Sequence, residues 1–547
     1  MTSSVLKLNG LWRDDRKRVF LLSGLFGICG ASIIYFSTPG GPSVGSDSVM
    51  YLLSAKNLVD KGYFGIIWGQ GSLEPLAQYH PPALSLLLAG LYALGMDVLN
   101  AMRFIDIVAF GLLLFFVGFL SYRITAKVSL SIQLSMLFLC TPFIFSSYTD
   151  AMSESLFYFF MVVSLLSLLL YLERKSRSAL IASAFLALGA LMTRYIGVTI
   201  SVTCLLGIMI LSQQNWKNRI SDAFIFGLLS PGLSLIWFAW SFLTTSHLSH
   251  RTVKSVVDLW RAGIDFRVGL SSVIWNWLTL NSNVLASYDI RKLSTGLFLF
   301  IVGTLCMFLF YKTFRRLEKG QYLALVRWIV LFGLTAATYA VVYFLAFALT
   351  LPAPDLIERI AAPIFIVTLM AIFGMIFLAI ELWEDKKWLR WLSWLFLFLL
   401  VSFYLPKTIA LADVMRTEGR GYNSKTWKGS PIISAIRQLP GGLPIVTNEP
   451  AAVLFLTGRD AIWVTAALGK QQQFPQGYGK SQADLGESVF FNGGALVLFP
   501  SFYKQQRDEF YGNQADERLN AMLDGLIKYK DFGPYSGIYF YKQNFVP

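Results

Sequence analysis

Apolar stretches of roughly 20 residues recur along most of this chain. Lipid offers the backbone no hydrogen-bond partner, so such a stretch folds as a helix that pairs its own N–H and C=O groups. Spans are expected at residues 19–37, 104–122, 130–147, 156–172, 179–193, 196–212, 223–243, 296–311, 328–351, 361–381 and 388–405, about eleven in all. Composition agrees, since 55% of the 547 residues are hydrophobic and only 14% charged, with a mean hydropathy of +0.57. Ordinary soluble domains lie outside that range. The apolar stretch 82–94 is too short to cross and is expected to be an interfacial helix.

Charge between the spans tests this reading, because short cytoplasmic loops carry the excess of Lys and Arg. Arg13, Arg16, Lys17 and Arg18 precede the first span. Basic clusters then recur after every second crossing, at Arg123/Lys127, Arg174/Lys175/Arg177, Lys217/Arg219, Lys312/Arg315/Arg316/Lys319 and Lys386/Lys387/Arg390. The N-terminus is therefore expected inside and the C-terminus outside, in a plasma membrane of the bacterial inner-membrane kind. The net charge of +14 resides largely in those inside loops. Anionic membrane lipid accounts for it, and no nucleic-acid partner is expected. Cys29, Cys140, Cys204 and Cys306 all fall in apolar spans and form neither a disulfide framework nor a Cys-x-x-Cys site. No small-residue cleavage site follows Ser37, so the first span is expected to be retained.

Three outside segments are long enough to carry function: residues 38–103, residues 244–293 and the tail after Pro406. The chain thus divides into a transmembrane module, 1–406, and an extracytoplasmic domain, 407–547. The tail reads as a small α/β domain. Helices are expected at 430–439, 450–456 and 517–529, and strands at 443–447, 462–465, 496–499 and 538–541. Its Gly-Gly pairs make no Gly-x-Gly-x-x-Gly turn after a strand, so no dinucleotide site is indicated. A substrate-covering or structural role is expected of it.

In the first outside segment, Ser46-Asp47 opens a helical pattern with Tyr51, Ala55 and Leu58 on one face, and Lys61-Gly62 closes it. A helix N-terminus favours negative charge, which suits Asp47 to act as a base. The competing reading is a capping carboxylate. Charges at the ends of spans are informative because burying one without a partner or a task is costly. Asp47, His80, Glu154, Arg194 and Arg359 are in such places. Arg194 interrupts an apolar hairpin and has no acid near it in sequence. Arg359 follows Asp355 and Glu358, so a local ion pair is its plainer explanation. Arginines beside a helix-terminal carboxylate suit one reaction type: positive charge holds a departing phosphate while a base takes a proton from an acceptor hydroxyl. Arginine serves there through its bidentate fork.

Several phrases carry a family resemblance. They are Asp47-Ser48-Val49-Met50-Tyr51, Gly62-Tyr63-Phe64, Tyr79-His80-Pro81-Pro82-Ala83-Leu84, Arg103-Phe104, Ser153-Glu154, the 191–197 turn with Arg194, Glu358-Arg359 ahead of Pro363, and 443–448 followed by Thr457-Gly458-Arg459. Together they resemble the GT-C glycosyltransferases, in the bacterial branch related to protein O-mannosyltransferases and the lipid A aminoarabinose transferase. The resemblance implies a polytopic α-helical fold of GT-C type with a small C-terminal α/β domain. It also implies inverting transfer of a single sugar, hexosyl or pentosyl, from a polyprenyl-phosphate carrier to a hydroxyl of a lipid, glycan or protein acceptor on the outer face. Asp47 takes the place of the family's catalytic acid, although Ser48 stands where a second carboxylate is usual. Arg194, Arg359 and His80 would hold the carrier phosphate, with His80 standing where many relatives have Lys. Tyr51, Glu154 and Tyr79 would line the substrate.

His247 and His250 form a His-x-x-His pair without an evident third ligand, so no metal or other cofactor is expected. Tyr63, Trp68 and Tyr79 either stack on sugar or anchor the segment at the interface. The competing functions are a transporter or flippase and a polymerase or ligase, all acting on lipid-linked glycans. A transporter would show paired hydrophobic repeats and broken helices meeting at the midplane, and neither is evident in the sequence. A structural envelope protein leaves Arg194 and the Asp47 helix unexplained.

Overall fold

The structure is a computed structural model that describes residues 2–68, 72–246, 251–254, 257–278, 322–383, 387–464, 493–505, 507–508 and 512–541. Within them, seven helices are long and apolar enough to cross a membrane: Asp15–Ser37, Val98–Thr125, Glu154–Arg174, Trp216–Thr245, Leu323–Leu349, Glu358–Leu382 and Lys387–Thr417. Four shorter apolar helices accompany them, at Ala83–Ala93, Val128–Cys140, Arg177–Thr193 and Tyr195–Leu211. The chain is a membrane protein. The span expected at 296–311, the basic cluster at 312–319 and Cys306 lie outside the described residues.

Two expected spans differ in detail. The stretch 130–147 is not one helix: it divides at Thr141 into Val128–Cys140 and Pro142–Ser147. Pro142 has no N–H to continue the first helix and is instead well placed to begin the second. At the other end of the module, the last helix runs through Pro406 to Thr417. The Thr408 hydroxyl donates to the Cys140 carbonyl at 2.7 Å beyond that proline. Packing of this kind holds a helix together where proline has removed one of its own bonds. The helix is thus continuous across residue 406 to Thr417.

Small residues allow a close helix approach. A Cβ on Gly27 would sit 2.8 Å from the Gly111 carbonyl oxygen, so the first helix and Val98–Thr125 pack nearly backbone to backbone. The far ends of the spans carry their own ion pairs, with Arg327 bonded to Glu173 at 2.7 Å and Lys127 to Glu381 at 2.5 Å.

Segment 38–103 folds as the helix Ser46–Lys61, a hairpin of Gly65–Trp68 with Ser72–Pro75, a helical turn Leu76–Gln78 and the helix Ala83–Ala93. The hairpin is antiparallel, with Ile66 opposite Glu74. Each of its strands is too short to leave a readable alternation. The short helix over residues 83–93 occupies the stretch set apart from the spans.

The C-terminal domain is a five-stranded sheet in the spatial order Ile462–Trp463, Ile445–Thr447, Ala495–Leu498, Ser536–Tyr541, Leu526–Gly533. The first three strands are parallel and the last two join antiparallel. Its two faces bury separate apolar clusters, one around Ile433, Ile445 and Val497 and one around Val446, Leu498 and Phe502. The helix expected at 517–529 is shorter, Ala515–Leu523, and residues 526–533 are a strand. That strand turns through Gly533, at φ +126°, into Ser536–Tyr541. Its hairpin partner overrides the local helical pattern.

Candidate active site

Asp47 is the second residue of the helix Ser46–Lys61, whose preceding residue Gly45 is extended. The Gly45 N–H donates to the Ser48 hydroxyl at 2.9 Å. The buried Ser48 therefore reaches back to the helix start, a task that the competing reading gave to Asp47. Asp47 instead faces another helix, its Oδ2 3.5 Å from Arg359 Nη2. Both side chains remain accessible, at 43% for Asp47 and 36% for Arg359.

Behind this pair lies Glu154, the first residue of the helix Glu154–Arg174, its side chain only 1% exposed. One carboxylate oxygen, Oε1, takes both arginines: Arg194 Nη1 in direct contact and Arg359 Nε at 3.1 Å. Arg194 is delivered from the turn between Arg177–Thr193 and the helical turn Tyr195–Gly197, where its own backbone is extended. Burial, the largest single influence, works against its charge, but Glu154 together with Tyr339, Tyr51 and Tyr158 outweighs that cost and raises its pKa, so the guanidinium stays protonated. Arg359 is the second residue of Glu358–Leu382. Among the described ion pairs it joins Asp47 and Glu154, not the neighbouring Asp355 or Glu358. Three span ends and the first loop thus converge through one buried acid. A buried charge is tolerated when opposite charges lie this close to it.

Tyrosines complete the frame. Tyr51, one turn along from Asp47, donates to Ser153 Oγ at 3.1 Å and lies 3.0 Å from His80 Nδ1. Burial, the largest influence, pulls the His80 pKa below its ordinary value. Histidine so placed is neutral at pH 7, so the positive charge of the site rests on the arginines. Tyr79 is buried with its ring 6.5 Å from that of His80, so it belongs to the packed wall and not to an open surface. Tyr158 donates to the Arg359 carbonyl at 3.0 Å and Tyr339 to the Ile360 carbonyl at 2.8 Å, fixing the start of the arginine's helix. These two tyrosines leave no mark in the sequence, since aromatic residues in apolar spans are ordinary core.

The structure therefore brings together Asp47, Tyr51, His80, Glu154, Arg194 and Arg359, with Tyr79 behind them. Tyr63 is half-buried just before the hairpin, and Trp68 ends its first strand. His247 and His250 lie outside the described residues. Among the described residues, no group of three or more His, Cys, Asp or Glu side chains is placed to hold a metal ion.

No family model matches this sequence, and no curated protein matches it significantly. Solved structures do. ArnT from Cupriavidus metallidurans bound to undecaprenyl phosphate matches at 12% identity over 94% of this chain and 97% of that one, with a TM-score of 0.50. The Archaeoglobus fulgidus oligosaccharyltransferase in complex with Zn and sulfate matches at 13% identity over 95% of this chain and 73% of that one, with a TM-score of 0.51. The oligosaccharyltransferase AglB from the same organism, in complex with an inhibitory peptide and a dolichol-phosphate, matches at 14% identity over 97% of this chain and 75% of that one, with a TM-score of 0.50. At such identity the likeness concerns architecture, and the architecture this chain shares with them is the GT-C glycosyltransferase fold.

Proposed function

We propose that this protein transfers a single sugar from a polyprenyl-phosphate carrier to an acceptor hydroxyl, at the outer face of a bacterial inner membrane and with inversion at the anomeric carbon. One observation carries the reading: Arg359 meets a half-exposed aspartate at the end of the spans, and a single buried glutamate joins that arginine to a second, Arg194. The fold neighbours bound to undecaprenyl phosphate and dolichol-phosphate support the class of carrier.

Asp47 takes the proton from the acceptor hydroxyl as its oxygen attacks the anomeric carbon. The bond from that carbon to the phosphate oxygen breaks, and its electron pair leaves with the carrier phosphate. A phosphate departs as a stable anion, so no general acid is required. Arg194 and Arg359 meet the developing charge. The Arg359–Asp47 contact is the longest of the cluster at 3.5 Å, and Arg359 turns from the aspartate toward the phosphate when carrier arrives. Carrier binding in this way frees the base from its ion pair with Arg359. Glu154 keeps Arg194 in place and holds the Nε edge of Arg359 while its Nη2 end turns, and His80 contributes a neutral polar wall.

The test offers purified protein a panel of synthetic polyprenyl-phosphate sugars with a membrane extract as acceptor. Release of polyprenyl phosphate together with a glycosylated product is expected. Movement of intact carrier-linked sugar across proteoliposomes, with no product formed, would replace this reading with transport.

A further inference from the structure

The stretch leading into Asp47 is held from both sides by short parallel bridges. Ser43 pairs with Asp150 and Val44 with Gly421. On one side the Ala151 N–H donates to the Ser43 carbonyl at 2.7 Å. On the other the Tyr422 N–H donates to the Val44 carbonyl at 2.7 Å, and the Asn423 side-chain amide donates to the carbonyls of Gly40 and Pro42 at 2.8 and 2.9 Å. Gly421 allows this approach on two counts. Its φ is +60°, and a Cβ there would sit 2.2 Å from the Val44 oxygen.

Residues 421–423 are the root of the C-terminal domain, and the domain grips them further out. The Tyr422 hydroxyl donates to Glu449 Oε2 at 2.9 Å, and Ser501 donates to the other oxygen of the same carboxylate at 2.7 Å. Glu449 precedes the helix Pro450–Thr457, which packs along the Asp47 helix. Ala451 and Leu454 join the buried cluster that includes Val44, Val49 and Leu52. A continuous set of contacts thus runs from the sheet through Glu449, Tyr422 and Val44 to a point three residues before Asp47.

From this we infer that the C-terminal domain is the positioning element of the base: Gly421, Tyr422 and Asn423 clamp residues 40–44 and so fix where the Asp47 carboxylate stands, while the arginine site is held independently by Glu154. The inference rests on the reading of Asp47 as base. It predicts a separation of turnover from carrier binding, because misplacing a catalytic group by about 1 Å costs on the order of 100-fold in rate and, among the described ion pairs, the two arginines join Glu154 and Asp47 and not residues 421–423.

The experiment compares full-length parent, Gly421→Ala, Asn423→Ala and Tyr422→Phe in three measurements: kcat for sugar transfer, affinity for undecaprenyl phosphate, and amide hydrogen exchange of the peptide covering residues 43–52. Expected is a fall in kcat of about tenfold or more for Gly421→Ala, faster exchange in 43–52, and carrier affinity within twofold of parent. Tyr422→Phe and Asn423→Ala follow with smaller effects and serve if Gly421→Ala fails to fold. Arg459→Ala is the control, since among the described residues the Arg459 guanidinium donates to the domain carbonyls of Ile436, Leu439, Pro440 and Leu443. It should lower the melting temperature and leave kcat unchanged. Unchanged kcat and exchange in the clamp variants, or kcat and carrier affinity falling together, would overturn the clamp. An active Asp47→Asn protein would defeat the base assignment while leaving the exchange result standing.

Discussion

Glu154→Gln perturbs the site at its hinge, because a single oxygen of this carboxylate carries two guanidiniums. A close ion pair with one partner buried is comparable to a hydrogen bond to a charged group, about 1.5–3 kcal/mol net. Arg194 is 20% exposed and keeps most of that value. Arg359 is 36% exposed, so solvent screens its share toward the roughly 0.2–1 kcal/mol of exposed pairs. The two together come to about 2–4 kcal/mol. Glutamine retains an acceptor oxygen, and its cost is expected in the lower half of that range, about 2 kcal/mol. Glu154→Ala strands Arg194, whose one described ion pair is with Glu154, and should cost about 3–5 kcal/mol. Without the Glu154 charge, Arg359 has only Asp47 as an anionic partner, so the base is held more tightly and kcat should fall about tenfold, equivalent to about 1.4 kcal/mol. Thermal unfolding in detergent and transfer kinetics, measured on both variants, check the two effects. A Glu154→Gln protein with the parent's melting temperature, turnover and carrier affinity would show that the glutamate does not organise the arginines.

Other substitutions read single parts of the same site. Arg194→Lys keeps the charge and loses the planar fork, so undecaprenyl phosphate affinity and turnover should both fall while the protein still folds, as titration and kinetics would show. Arg359→Ala should also lower transfer, and normal turnover would leave Arg359 a merely structural partner of Asp47 and Glu154. Because the folded protein holds the His80 pKa below its ordinary value of about 6.5, the unfolded chain takes up a proton that the folded one refuses. Stability should therefore fall as pH drops below about 6.5, and melting curves should show that His80→Gln flattens this slope. For orientation, an impermeant thiol reagent applied to intact cells should label Gly429→Cys but not Lys319→Cys, each made in a Cys29→Ser background.

What the sequence discloses and what it hides divides along physical lines. The helix of Asp47 is legible because its signals are local: a small polar start at Ser46 and Ser48, an apolar face through Tyr51 and Ala55, and Gly62 at its end. Arg194 stands out because a charge in an apolar hairpin is costly. Glu154 stands out for the same reason, but the pairing of the two does not, since Glu154 reaches Arg194 only after two helices pack together. Arg359 misleads for the opposite reason, as Asp355 and Glu358 are near in sequence while its observed partners are Asp47 and Glu154. The same limit explains strand 526–533, whose pairing depends on a hairpin, and the Gly421-Tyr422-Asn423 root, which in sequence resembles an ordinary polar linker.

Asp47→Asn tests the central claim most directly. The change is nearly isosteric, and the helix start is already served by Ser48, so folding and undecaprenyl phosphate binding should persist. Transfer from a synthetic polyprenyl-phosphate sugar by purified protein in detergent should fall by about 10²–10⁴-fold, the scale of a lost general base. An active parent whose Asp47→Asn variant keeps most of that activity would contradict the account, because the carboxylate would then not be the base.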